Sequence, residues 1–512
     1  MANFRDTKGR QLDWISSRIE DNFSNFIHVD RHFNSSPILR RIFSLARKLN
    51  FQSLVIEEIV ESECALLAEE NEALRIRLSG YKSSRVRRLL FLKSLVGQPL
   101  GEKDLLGYAI FKEDFIGDGA APAFHVYESV IQPPRDSQQN NYIHCTRTYQ
   151  LNTSIGKLQV SGVLYAQQND ATFVCAHVGL RTVLASVLPE GDISYCRINQ
   201  IAGIDHKNSK VGEGGKGLDP DQMAAVLKAY HLDFSKIIHE PTQGLALPGD
   251  FQRDLYGAIE SGQPALLGFE LSGNVSGRHI IPVIGHTFNE DTWVASASRD
   301  YFDEGLKYYP SENWLSTYAV HDDNCGPYFC LPRHYLKKDN FRIILSLKRH
   351  PTETEPVEAE AIALAYLNAL ANAINDNGEW MKRFKTYARH GFLVLRALHV
   401  TKQEYLNHIR QARCWNGNVT ADASVSEIEA TLPDYFWMIE ASAPELFSAS
   451  RRKFGEILIR SDLEFPKPLD FSLIILARLP GQILTLESKL LNTRPAGTDS
   501  HVELFSYLRE ER

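Results

Sequence analysis

In the stretch 167-QQNDATFVCAHVGLRTVLASVL-188, Cys175 stands between a run of amide side chains and a segment with helical apolar spacing. A cysteine so placed has three chemical readings. As an acyl-transfer nucleophile it needs a thiolate, a histidine to take and return a proton, a group to fix that histidine, and donors for the developing oxyanion. A helix start favours the thiolate, because unpaired amides and the helix dipole lower a thiol pKa. Gln168 or Gln167 would aim an amide N–H at the oxyanion, and the backbone N–H of Cys175 would be the second donor. As a phosphatase nucleophile, 175-CAHVGLRT-182 offers a cysteine, five residues, Arg181 and a hydroxyl residue. That spacing lets backbone N–H groups and a guanidinium cradle a phosphate. The third reading is structural, with the thiol a small buried hydrophobe.

The acyl-transfer reading requires a histidine far along the chain at the start of a strand, and His279 in 276-SGRHIIPVIGH-286 has that place. Its orienting carboxylate belongs on a neighbouring later strand. Asp322 and Asp323 in 319-AVHDDN-324 are the candidates, with Asp300 a poorer third. The order Gln, Cys at a helix start, a helix–Gly–Pro–strand unit (259-IESGQPALLGFEL-271), His at a strand start and Asp near a strand end resembles the papain-like cysteine peptidases. The likeness is to the C39-like, bacteriocin-processing group, and it spans roughly residues 160 to 335. The resemblance implies that Cys175 is the nucleophile, His279 the base and Asp322 or Asp323 the third member. It implies that Gln168 is the oxyanion-hole glutamine, although Asn169 has the spacing usual in that group. No cofactor and no metal are expected.

Other residues invite chemistry. His177 follows Cys175 by two and so points to a different helix face, as a surface or packed histidine. His286, seven after His279, faces the other side of the strand and reads as a turn histidine. His321, Cys325, Cys330 and His334 form a conceivable zinc set, against which the strand–turn reading of 321-HDDNCGPYFCLPRH-334 stands. The segment 212-GEGGKGLDP-220 lacks the P-loop spacing and reads as a loop near the cleft. Trp437 is expected in the core and Glu440 at an edge.

The elements that must position these residues change character along the chain. Residues 1–95 are expected to be a helical region, because apolar residues recur at three and four through 51–78 without Pro or Gly, and 84-SRVRRLLFLK-93 reads as a helix with one solvated face. Strands are expected at 104–115, 122–134, 142–152 and 156–168, and helices at 175–188, at 218–232 (with an Asp cap and Pro in the first turn) and at 251–262. Strands follow at 264–271, 279–288, 292–297 and 317–323, with 301–314 as an insertion. The expected fold class is therefore α+β: a papain-like domain with a β-rich lead-in over 96–345, a linker at 346–357, and a mixed α/β C-terminal domain over 358–512.

The 512 residues are 43% hydrophobic and 23% charged, an ordinary globular composition, and 56 Lys and Arg against 63 Asp and Glu leave a net charge of -7. That balance argues against nucleic acid as a partner. Seven scattered cysteines and an N-terminus without an apolar run suggest free thiols in a bacterial cytoplasm, and no apolar stretch predicts a membrane span. The expected function is a cysteine-dependent hydrolase or acyltransferase acting on a peptide, isopeptide or related amide, with protein or peptide as substrate. The flanking domains would select substrate or partner. The alternatives are an inactive papain-like scaffold in a protein complex and the Cys175–Arg181 phosphatase.

Overall fold

The computed structural model describes residues 2–5, 11–16, 24–60, 65–95, 98–117, 122–134, 140–169, 175–204, 217–239, 251–270, 278–288, 301–303, 306–309, 311–337, 340–373, 379–390, 393–411, 422–443, 446–447, 450–487, 490–495, 504–505 and 507. They form a mixed α/β protein built on three large, mainly antiparallel sheets.

The first sheet has eight strands in the order Ala2–Arg5, Gln11–Ser16, Ser53–Ile59, Tyr81–Leu92, Leu105–Ile116, Ala123–Ile131, Gly156–Tyr165 and Arg147–Thr153. This corrects the expectation of a helical region over 1–95. The stretch 51–78 divides into the strand Ser53–Ile59 and the helix Ala65–Arg77, and 84–93 lies mostly in the strand Tyr81–Leu92. Pairing between the two strands overrides the local helical pattern, because acidic residues of one face basic residues of the other. Glu57 stands opposite Arg88 and Glu58 opposite Arg87. Arg88 donates to Glu57, Arg85 to Glu58 at 2.8 Å and Arg87 to Glu113 at 3.0 Å. The helices Asn25–His32 and Pro37–Lys48 cover one face of this sheet through Phe33 and Phe43, which meet Phe91 and Phe111 edge-on.

The central sheet runs Phe234–Ile238, Phe341–Leu347, Ala265–Glu270, Arg278–Phe288, Leu315–Asp322 and Gly326–Pro332, and Asn140–Ile143 adds to the Arg278–Phe288 strand. Its strands alternate between two buried faces. Leu266, Ile280, Ile343 and Leu345 pack against the helix Cys175–Val187. Ala265, Leu267, Ile281, Val283 and Ile344 pack against the helix Phe251–Glu260. This helix gives way to a turn at Gly262, whose φ of 83° is one that glycine adopts without strain. The helix Pro220–Ala229 begins with the expected Asp219 cap, closed by Gln222.

The third sheet contains Tyr301–Asp303, Leu306–Tyr309, Leu393–Thr401, Tyr435–Ser442, Gly455–Arg460, Ile474–Leu479, Gln482–Glu487 and Leu490–Pro495. The insertion expected at 301–314 thus leaves the central domain, and Leu306–Tyr309 runs parallel to Leu393–Thr401 in the C-terminal sheet. The expected linker 346–357 is structured at both ends: Ser346 and Leu347 finish a central strand, and Pro356 opens the helix Pro356–Ala373. Between them Thr354 is buried, and its carbonyl accepts from Trp437 Nε1 at 2.9 Å. The strand expected at 292–297 and residues 205–216, which contain most of the Gly-rich segment, lie outside the described residues. Among the described residues no helix is long and apolar enough to cross a membrane.

Candidate active site

Cys175 is the first residue of the helix Cys175–Val187 and is half-buried, with its thiol free. The helix docks closely on the central sheet because Gly179 has no side chain: a Cβ there would meet Leu266 Cδ2 at 3.0 Å. That docking places the thiol beside the imidazole of His279, close enough to stabilise its protonated form. His279 is buried near the start of the strand Arg278–Phe288, opposite Phe269, whose ring meets it edge-on at 5.7 Å.

Two carboxylates face the same ring nitrogen. His279 Nε2 lies 3.4 Å from Asp322 Oδ1 and 3.3 Å from Asp323 Oδ1. Asp322 ends the strand Leu315–Asp322 and opens the turn into Gly326–Pro332, and that turn aims backbone amides at it. The N–H groups of Asn324 and Cys325 donate to its Oδ1 at 2.8 and 3.1 Å. The side-chain amide of Asn324 also comes within 3.4 Å of His279 Nε2.

Burial works against charge on His279, but it is outweighed by the hydrogen bonds to Asp322 and Cys175 and by the charges of Asp323 and Asp322, so its pKa is pushed up to about 10. Burial likewise opposes charge on Asp322, and the His279 hydrogen bond and charge, with the two backbone amides, hold its carboxyl below the usual range. The neighbouring Cys325, exposed at its surface but partly shielded from water, has its thiol pushed up by that desolvation and then by Asp322. The arrangement can therefore keep a protonated imidazole beside a sulfur at neutral pH.

The structure thus brings together Cys175, His279, Asp322 and Asp323. Gln168 is half-buried in the segment leading to the helix, and residues 170–174 between it and Cys175 lie outside the described residues, as does Asp300. The neighbouring amides are engaged: Gln167 Oε1 accepts from Val126 N at 3.0 Å, and Asn169 Nδ2 donates to Glu70 Oε1 at 2.6 Å.

Arg181 is not placed as the phosphatase reading requires. Residues 175–187 are helix and not a loop, and the buried guanidinium turns to Asp192 and Glu128, donating to Glu128 Oε2 at 2.6 Å over the ring of Tyr127. His177 is buried against Asn199 Oδ1 at 2.6 Å. No three of His321, Cys325, Cys330 and His334 approach within ligating reach of one another. His321 is buried, facing the Leu164 carbonyl, and burial depresses its pKa to about 3, while both cysteines are exposed.

His286 is no turn histidine: it is fully buried, stacked on Tyr142, with Nε2 against Glu260. Glu260 also accepts from Arg396 Nε at 2.9 Å, and Arg396 donates to Glu440 at 2.8 Å. Glu440 is therefore inside the molecule and not at an edge, whereas Trp437 is in the core as expected. A second buried group, Glu70, Lys112, Asp114 and His125, lies beside Asn169. Nothing in the local pattern signals the His286–Glu260–Arg396–Glu440 group, whose partners are 26 to 136 residues apart. Comparison of the chain with protein-family models, with curated proteins and with solved structures finds no match.

Proposed function

We propose that the protein is a cysteine-dependent amide hydrolase or acyltransferase with a papain-like core, in which Cys175 attacks a peptide, isopeptide or related carbonyl. One observation carries the reading: the thiol at a helix N-terminus neighbours a buried histidine whose Nε2 is faced by strand-end carboxylates. With Nε2 turned to the aspartates, Nδ1 is the nitrogen left to serve the thiol. Cys175 and His279 then form a thiolate–imidazolium pair, and the sulfur adds to the carbonyl carbon. Imidazolium gives its proton to the leaving amine, which departs as the C–N bond breaks. His279 next takes a proton from water, or from an acceptor amine, as that nucleophile attacks the thioester and the thiolate is released. Asp322, held by two backbone amides, fixes the ring, and Asp323 adds charge.

A second reading, an inactive scaffold of the same fold, is favoured by one observation: the Asn169 amide is spent on Glu70. An electrophilic peptide-like probe separates the two. The enzyme reading expects one adduct per chain, mapped by mass spectrometry to Cys175 and absent in Cys175→Ala. Equal labelling of that variant, or none of the native chain, would sink it.

A further inference from the structure

We propose that the Nε2 side of His279 is a binding site for a divalent cation of the zinc class, formed by His279, Asp322, Asp323 and Asn324. Three side chains present polar atoms to this one nitrogen at nearly equal distances: Asp322 Oδ1 at 3.4 Å, Asp323 Oδ1 at 3.3 Å and the Asn324 amide at 3.4 Å. These separations are long for a charge-assisted hydrogen bond, which closes to about 2.7–2.9 Å. They match the three tetrahedron edges that meet at Nε2 instead: an ion bound at ~2.0–2.1 Å spaces its ligand atoms about 3.3–3.4 Å apart. A 180° turn of the Asn324 amide exchanges Nδ2 for Oδ1 and completes a set of one nitrogen and three oxygens. The set is also supported from behind, since the Asn324 and Cys325 amides hold Asp322 Oδ1 in place, as ligating carboxylates require.

An independent observation points the same way. The hydroxyl of Tyr165, a residue only 1% exposed, finds no hydrogen-bond partner among the described residues. Burial pushes its pKa up, and the nearby charges of Asp323 and then Asp322 push it further. A water on the cation would give that hydroxyl its partner. With the cation in place, the aspartates would neutralise the ion and no longer the imidazolium, so binding inhibits. That consequence rests on the acyl-transfer reading; binding itself does not.

The test uses the full chain carrying Cys175→Ala, Cys325→Ser and Cys330→Ser, titrated with Zn2+ by calorimetry. It expects one ion per chain, with affinity weakened at least about 100-fold by Asp323→Asn or Asp322→Asn. X-ray absorption of the one-to-one complex should show nitrogen and oxygen neighbours at ~2.0–2.1 Å and no sulfur at ~2.3 Å. Affinity indifferent to both substitutions, or sulfur in the first shell, overturns the proposal. If either variant fails to fold, the absorption spectrum of the parent decides alone. Because Cys175 is absent throughout, a negative result leaves the acyl-transfer reading standing, and failure of probe labelling leaves the metal site standing. In the native chain, Zn2+ should slow probe labelling of Cys175 and a chelator should restore it.

Discussion

At the residue scale the decisive group is His279. Cys175, His279 and the paired aspartates were legible in the sequence because each sits at an element boundary: a helix start, a strand start and a strand end. Which aspartate does what was not legible, since that depends on the turn amides that hold Asp322. His279 also makes a pH prediction. Its pKa is raised from 6.5 to about 10 in the fold, so the stability it contributes is fully present below the lower value and is lost as pH rises through the upper one. The melting temperature should therefore fall between pH 7 and 10, and this fall should be smaller in His279→Gln. Thermal unfolding across that range checks it. If Asp322 orients the ring, Asp322→Ala should slow probe labelling of Cys175 by about 10- to 100-fold while leaving the fold intact by circular dichroism. An unchanged rate would leave Asp322 no positioning role.

At the element scale, the strand Arg278–Phe288 carries two histidines with separate duties. His279 meets the cysteine, and His286 ties the strand to Glu260 on the helix behind the sheet, which in turn holds Arg396 of the C-terminal sheet. Removing Glu260 leaves Arg396 buried with part of its pairing gone. Glu260→Ala is therefore expected to cost about 3–5 kcal/mol, measured by denaturant unfolding, with Glu260→Gln costing less because a hydrogen bond to Arg396 survives. The central helices near 175, 220 and 251 and the strands near 265, 279 and 317 were legible because their apolar periods are strong and Gly and Pro mark their ends, whereas the central strands Phe234–Ile238 and Phe341–Leu347 were not. The strand Ser53–Ile59 was not, because 51–78 has helical spacing and only the distant residues Arg85 and Arg88 show where Glu58 and Glu57 go.

At the scale of the whole molecule, three sheets share one continuous packing scheme and do not form a core with loose attachments. Ile284, Ala319 and Tyr328 of the central sheet join the aromatic core of the first. Leu306–Tyr309, from the middle of the chain, pairs with the C-terminal sheet. A chain cut after Leu347 would thus lose the partner strand of Leu306–Tyr309 and leave Glu260 without Arg396. It should fail to give a single cooperative unfolding transition, whereas the full chain should show one for these packed regions. The domain boundary expected near 345 marks where the chain passes from the second sheet to the third, not a hinge, because Thr354 and Trp437 lie in a buried contact there.

The central claim, that Cys175 and His279 work as a pair, is tested most directly by the alkylation rate of Cys175 at pH 6, followed by mass spectrometry in a Cys325→Ser, Cys330→Ser background. With His279 intact the sulfur should react fast at this pH, and His279→Ala should slow it by about 100-fold or more. The same slow rate in both proteins would contradict the pairing.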